Sequence, residues 1–149
     1  MDSVSSSASL VVTVVVLAFI LFRQLRARPV TSRMLIPVVL IVVGLGNELS
    51  YSQRHPLSGA ALAALAGLLV LDAGALGALR AWTVRLWRED GQVLRQGTWL
   101  TVALWLVGLG IHVAVDQVAG LGSSSLLLYL GITYLVQRLV LLPRAGRVR

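Results

Sequence analysis

Apolar positions along the chain collect into five runs, approximately Ser5 to Phe22, Met34 to Leu49, Ala60 to Leu79, Thr98 to Asp116 and Ser124 to Leu142. Each comes near the ~20 residues with which an α-helix crosses a ~30 Å hydrocarbon core, so each predicts a transmembrane helix. The links are short and polar. Pro29 breaks the helix between the first two runs, and Pro37 sits near the start of the second, where a missing N–H costs little. In the third link, β-prone segments from Thr83 to Arg88 and from Gln92 to Arg95 flank Glu89-Asp90-Gly91, and an Asp-Gly pair in that setting predicts a hairpin turn. The pattern therefore predicts an all-α membrane protein: one integral membrane domain over 1–149, a bundle of five transmembrane helices with a small cytoplasmic β-hairpin between helices 3 and 4. Small residues at Ala60, Ala64, Gly67, Gly74 and Gly77 allow close helix approach and predict that the third helix is central.

Composition supports the same class. Of 149 residues, 57% are apolar and 13% charged, and the mean hydropathy is +0.85, far outside the range of a soluble domain. The chain has no cysteine, which excludes disulfides, thiolate metal sites and thiol relays. Its net charge of +7 comes from arginine without any lysine. Arg23, Arg26, Arg28 and Arg33 lie in the first link, Arg80, Arg85, Arg88 and Arg95 in the third, and Arg138, Arg144, Arg147 and Arg149 at the end. Arg54 alone lies in the second link. By the positive-inside rule this alternation predicts an N-terminus outside and a C-terminus in the cytoplasm of a multi-pass protein of the bacterial plasma membrane. The basic charge then belongs to topology and to membrane lipids, and no nucleic-acid partner is expected. The first run lacks a basic segment before it and a small-x-small cleavage site, so it reads as an uncleaved anchor. Trp82, Trp87 and Trp99 fall where an interfacial aromatic belt is expected.

Against that apolar background, Asp72, Glu48, Asp116 and His112 are the candidate catalytic residues. An ionisable side chain in hydrocarbon costs roughly 2.5–3.5 kcal/mol on insertion scales and commonly marks a functional interior. At ~1.5 Å per residue, Asp72 lies roughly 12 Å above Arg80 and Trp105 roughly 10 Å above Thr98, which puts both in an inner layer. Glu48, His112 and Asp116 form an outer one. His112 and Asp116 are four apart and share a helix face. Trp105, Tyr129, Tyr134 and Asn47 are the candidate substrate-binding residues, lining a cavity between the layers. Plainer readings stand beside these: Glu48 and Asp116 ending their helices in the headgroups, and Asp72 held by a structural hydrogen bond from Tyr134, Gln137 or a threonine. No acids cluster as metal ligands apart from Glu89 and Asp90 on the hairpin, so no metal or cofactor is expected. Ser123, Ser124 and Ser125 carry no nucleophile-elbow motif.

The segments Arg23-Gln24-Leu25-Arg26-Ala27-Arg28-Pro29 with Pro37, Leu79 to Val107, and Gly131 to Ala145 resemble the CcdC-like family of small bacterial membrane proteins. That resemblance implies the fold and, through the family name, an assembly role in cytochrome c maturation, which the absence of cysteine does not favour. In size and in its intramembrane acids the chain is also similar to the small membrane-bound terpene cyclases of bacterial indole-sesquiterpene pathways of the drimentine and xiamycin type. This likeness implies protonation of an alkene or epoxide in a lipophilic prenylated substrate, with Asp72 or Glu48 as donor and aromatic faces stabilising the carbocation. A proton-coupled small-molecule carrier, an immunity-type membrane protein and a CcdC-like assembly factor are the alternatives. Oligomerisation is left open.

Overall fold

The computed structural model describes residues 11, 14, 15, 18–120 and 125–149. Most of the first predicted span lies outside the described residues; its last part is helical over 18–25 (α1). Four helices follow that are long and apolar enough to cross a membrane: α2 (Leu35–Arg54), α3 (Gly59–Thr83), α4 (Trp99–Ala119) and α5 (Leu126–Ala145). Their large apolar side chains face outward, with Leu71 and Val70 each 68% exposed, as expected of helices solvated by lipid.

Local chemistry sets the helix ends. Ser58 caps α3 by accepting from the Ala61 N–H at 3.1 Å. Thr98 and Thr101 form a reciprocal capping box on α4, which Gly120 closes in the left-handed conformation at φ 65°. α2 runs on past Leu49 to Arg54, so Glu48 is inside a helix and not at its end.

α5 lies between α2 and α3, and α3 lies between α5 and α4. Both therefore have a helix on either side, which agrees with the central place that the small-residue stripe predicts for α3. A methyl group on Gly131 would meet the Ile41 backbone nitrogen at 2.8 Å, and one on Gly44 would meet the backbone of Leu128. The closest helix approach is therefore α2 against α5, antiparallel, and α5 is the most buried span. A Cβ on Gly67 would meet nothing, and one on Gly77 would make only ordinary contact with Val136. Gly44→Ala is expected to lower stability by about 1–3 kcal/mol through overpacking, with Gly46→Ala, in open space within the same helix, gaining about 0.5–1 kcal/mol. Thermal melts of both variants in detergent check this.

The expected hairpin forms from β2 (Arg85–Glu89) and β3 (Gln92–Gln96). Asp90 and Gly91 both adopt positive φ, 48° and 76°, which is the backbone of a type I′ turn. A third strand was not expected. β1 (Arg28–Pro29) pairs antiparallel with β3, giving the order β1-β3-β2, and Pro29 is tolerated because it is on an edge. Gly97 allows the end of α1 to dock here, since a Cβ would meet the Gln24 carbonyl oxygen at 2.6 Å. Ala81, Val84 and Leu141 form a small apolar core under the sheet, with Leu86 packed on it. Arg144 donates to the Ala81 carbonyl and lies 5.0 Å over the Trp82 ring. The first link, the third link and the end of α5 thus meet at one end of the bundle.

Candidate functional site

The inward faces of α3, α4 and α5 carry most of the buried polar groups, and these meet around Asp72. Arg80 Nη2 lies 3.2 Å from Asp72 Oδ1 and donates to Tyr129 Oη at 3.0 Å; Tyr129 in turn donates to Asp72 Oδ1 at 3.3 Å. Arg80 and Tyr129 are fully buried, and Asp72 is 3% exposed. The Arg80 guanidinium lies 4.6 Å over the Trp105 ring, so it bridges Asp72 and Trp105.

By its sequence position Arg80 marks the end of the span, whereas in the structure it is an interior counter-ion. The reason lies in the helix. In an unbroken α-helix, residues eight apart are roughly 80° apart around the axis. The segment Leu68–Leu76 is π-helical, with the Gly77 N–H bonded to the Asp72 carbonyl. Wider π turns rotate less per residue, which swings Asp72 back onto the face of Arg80. Gly108 on α4 then allows the cluster to close: a Cβ there would meet Asp72 Oδ1 and Tyr129 Oη, each at 2.8 Å, and would collide with Arg80 Nη2.

One turn farther from the sheet, the His112 ring stacks on Tyr129 with centroids 4.5 Å apart. His112 Nε2 is 3.8 Å from Asp116 Oδ2 and 3.4 Å from Ser125 Oγ, and Ser125 donates to Asp116 Oδ1 at 3.0 Å. Serine and aspartate both approach the same imidazole nitrogen. A hydrolase triad would instead have them on opposite ring nitrogens. Asp116, 15% exposed, and His112 line a cavity of about 470 Å³ together with Tyr51 and Gln117. At the other end of the axis, Thr83 Oγ1 donates to the Arg80 carbonyl at 2.7 Å, lies 2.7 Å from Thr101 Oγ1, and Thr101 lies 3.2 Å from Thr98 Oγ1.

The remaining candidates separate. Glu48 is 8% exposed on the face of α2 that also carries Gly44, so it is neither lipid-facing nor in bulk water. Asn47 is exposed, because one step along a helix turns a side chain about 100° away from Glu48's direction, and the structure does not bring it into the site. Tyr134 packs its ring 5.5 Å from Trp105 and lines a separate cavity near the sheet. Tyr129 is a hydrogen-bonding partner of Asp72 and lines none of the cavities described. Among the described residues no group of three or more His, Asp or Glu side chains could hold a metal ion.

Three members were missed in the sequence. Ser125 carried no motif, and Gly108 only acquires meaning opposite Arg80. For Arg80 a signal existed: Ala81, Trp82 and Val84 continue the apolar pattern beyond it. No family model, curated protein or solved structure matches the chain.

Proposed function

We propose that the chain is a multi-pass protein of the bacterial plasma membrane, with its sheet end in the cytoplasm, whose interior axis moves protons in a proton-coupled small-molecule carrier. The observation that carries this reading is the succession of proton-holding groups from the cavity wall at Asp116 through Ser125 and His112 to Tyr129, Asp72 and Arg80. Relays in membrane transporters are built from such side chains facing a bundle interior. The succession has two interruptions. His112 and Tyr129 stack without a hydrogen bond, and Arg80 reaches Thr83 only through its carbonyl. A water or a side-chain rotation must bridge them, which makes passage conditional, as coupling to a solute requires.

Proton flux into vesicles tests the relay. Proteoliposomes loaded with a pH-sensitive dye and given an acid-outside gradient should dissipate it faster than protein-free vesicles. Asp116→Asn should slow this at least about tenfold, since a group that accepts and releases the proton is worth roughly 10²–10⁴ in comparable transfers. Wild-type flux equal to that of empty vesicles would remove the reading.

The prenyl cyclase is the second reading, and the 470 Å³ cavity favours it, since an acid and two rings, Tyr51 and His112, share its wall. In that case Asp116 is the better donor. Asp72 is engaged by Arg80 and Tyr129, and none of the cavities described has Asp72, Glu48 or Trp105 in its wall. Conversion of 3-farnesylindole to a product of unchanged mass in membranes containing the protein, lost in Asp116→Asn, would reverse the ranking.

A further inference from the structure

The sheet end holds a second concentration of charge that plays no part in the polar axis. Two adjoining cavities, about 240 and 440 Å³, lie where the end of α1, β1, the start of α2, β3 and α5 meet. Arg23, Arg28, Arg95 and Arg138 line both, and Arg33 joins them in the larger one. No carboxylate lines either cavity. The acids of the described residues lie elsewhere: Glu48, Asp72 and Asp116 in the spans, Glu89 and Asp90 at the hairpin tip.

Like charges gathered without a counter-charge repel. Burial first, and then Arg138 with help from Arg28 and Arg23, pushes the Arg95 guanidinium below its ordinary value. An anion among these groups relieves that repulsion. A second observation is independent of charge: Gln137, 2% exposed, lines the smaller cavity with a side-chain Nε2 donor that has no hydrogen-bond partner. Buried donors are ordinarily satisfied, so this one is available to an acceptor in the cavity. The guanidinium of Arg138 is already oriented, since its Nη1 donates to the Thr31 carbonyl at 2.6 Å.

The ligand's other half is written in the apolar wall. Phe19, Ile20 and Ile36 flank the same cavity, and Phe19 and Ile36 are 60% and 58% exposed on the outside of the helices. A groove that is basic inside and open to apolar surface suits an amphiphile with an anionic head. Guanidinium forks match phosphate oxygens, and basic pockets between membrane helices take lipid headgroups. We infer that this groove binds the phosphate of an anionic membrane lipid, its head among Arg28, Arg95, Arg138 and Gln137 and its chain leaving along Phe19, Ile20 and Ile36. The site rests on the membrane placement proposed above and is independent of the proton path.

Native mass spectrometry of the full chain in non-ionic detergent tests it and does not depend on proton flux. Titration with dioleoylphosphatidic acid should give a saturable one-to-one adduct that dioleoylphosphatidylcholine does not give. Arg95→Gln should weaken it about tenfold, the loss expected for one charged hydrogen bond. Gln137→Leu, which changes no charge, should weaken it as well, by about fivefold on the same scale. Arg85→Gln and Arg88→Gln on exposed β2 should change it less than about twofold, as exposed charges do. Equal weakening at all four positions would reduce the effect to diffuse attraction and overturn the site. Pyrophosphate binding as tightly as the lipid would overturn the lipid assignment in favour of a soluble anion.

Discussion

Arg80→Ala should unfold at a stability about 3–5 kcal/mol below the parent protein, the largest loss expected of any single side-chain removal in the bundle. The substitution deletes the only ion-pair partner recorded for Asp72 among the described residues and leaves that carboxylate 3% exposed. It also removes a donor to Tyr129 and the cation seated on Trp105. Breaking a buried pair costs this much because the survivor keeps its desolvation penalty and loses its compensation. The same physics predicts rescue. In Asp72→Leu combined with Arg80→Met, both charges are gone and apolar side chains fill the space, so stability should return to within about 1 kcal/mol of the parent or exceed it. Urea or thermal unfolding of the three proteins in one detergent, followed by tryptophan fluorescence, measures the cycle. A double variant as unstable as Arg80→Ala would mean that the pair does not account for the loss. A stable double variant without proton flux would separate the role of the pair in the relay from its role in holding the helices.

Gly108→Ala should cost nearly as much, although it adds a single methyl group. That methyl would occupy the place where Arg80 Nη2, Asp72 Oδ1 and Tyr129 Oη meet the α4 backbone. Each is the end of a side chain, and ends can ordinarily move aside. These three hold one another through hydrogen bonds between 3.0 and 3.3 Å in a fully packed interior, so displacing one leaves another unsatisfied. The expected loss is about 3 kcal/mol, which combines overpacking with the breaking of a buried charged hydrogen bond. Gly110, two residues along the same helix, provides the control. A Cβ there meets nothing within 4 Å, so Gly110→Ala should gain about 0.5–1 kcal/mol from the reduced freedom of the unfolded chain. Opposite signs for two identical substitutions in one helix, read from thermal melts, are the outcome to look for. A neutral Gly108→Ala would mean that the cluster is loose.

The two variants also show where reading the sequence stops. Asp72 stood out because an acid in a run such as Leu68 to Ala78 is costly, and that cost is local. Arg80 did not stand out, since an arginine near the end of an apolar run is the ordinary signature of an interface. What converts it to a counter-ion is a change in helical pitch over Leu68–Leu76, and nothing in the periodicity of Leu-Leu-Val-Leu-Asp-Ala-Gly-Ala-Leu announces π turns. His112 and Asp116 were legible as a pair, four residues apart on one face. Ser125, which joins them, reaches the pair from the start of α5 and depends on how α5 docks. Gly44 and Gly131 are far apart in the sequence, and their close backbone contacts exist only once α2 and α5 have packed.

By itself the sequence determined what short stretches of chain must do in water and oil. It set the membrane-spanning lengths of α2 to α5 through hydropathy, the hairpin through the positive-φ tolerance of Asp90-Gly91, and the buried acids through the expense of their placement. Tertiary structure alone decided that α2 and α5 meet at Gly44 and Gly131, that β1 joins the hairpin, that Arg80 neutralises Asp72, and that Arg28, Arg95 and Arg138 share a groove. The physical reason is one of range. Hydropathy and turn preference are properties of a few neighbouring residues, whereas an ion pair or a glycine contact exists only once two distant segments have met, and many pairings satisfy the same local rules.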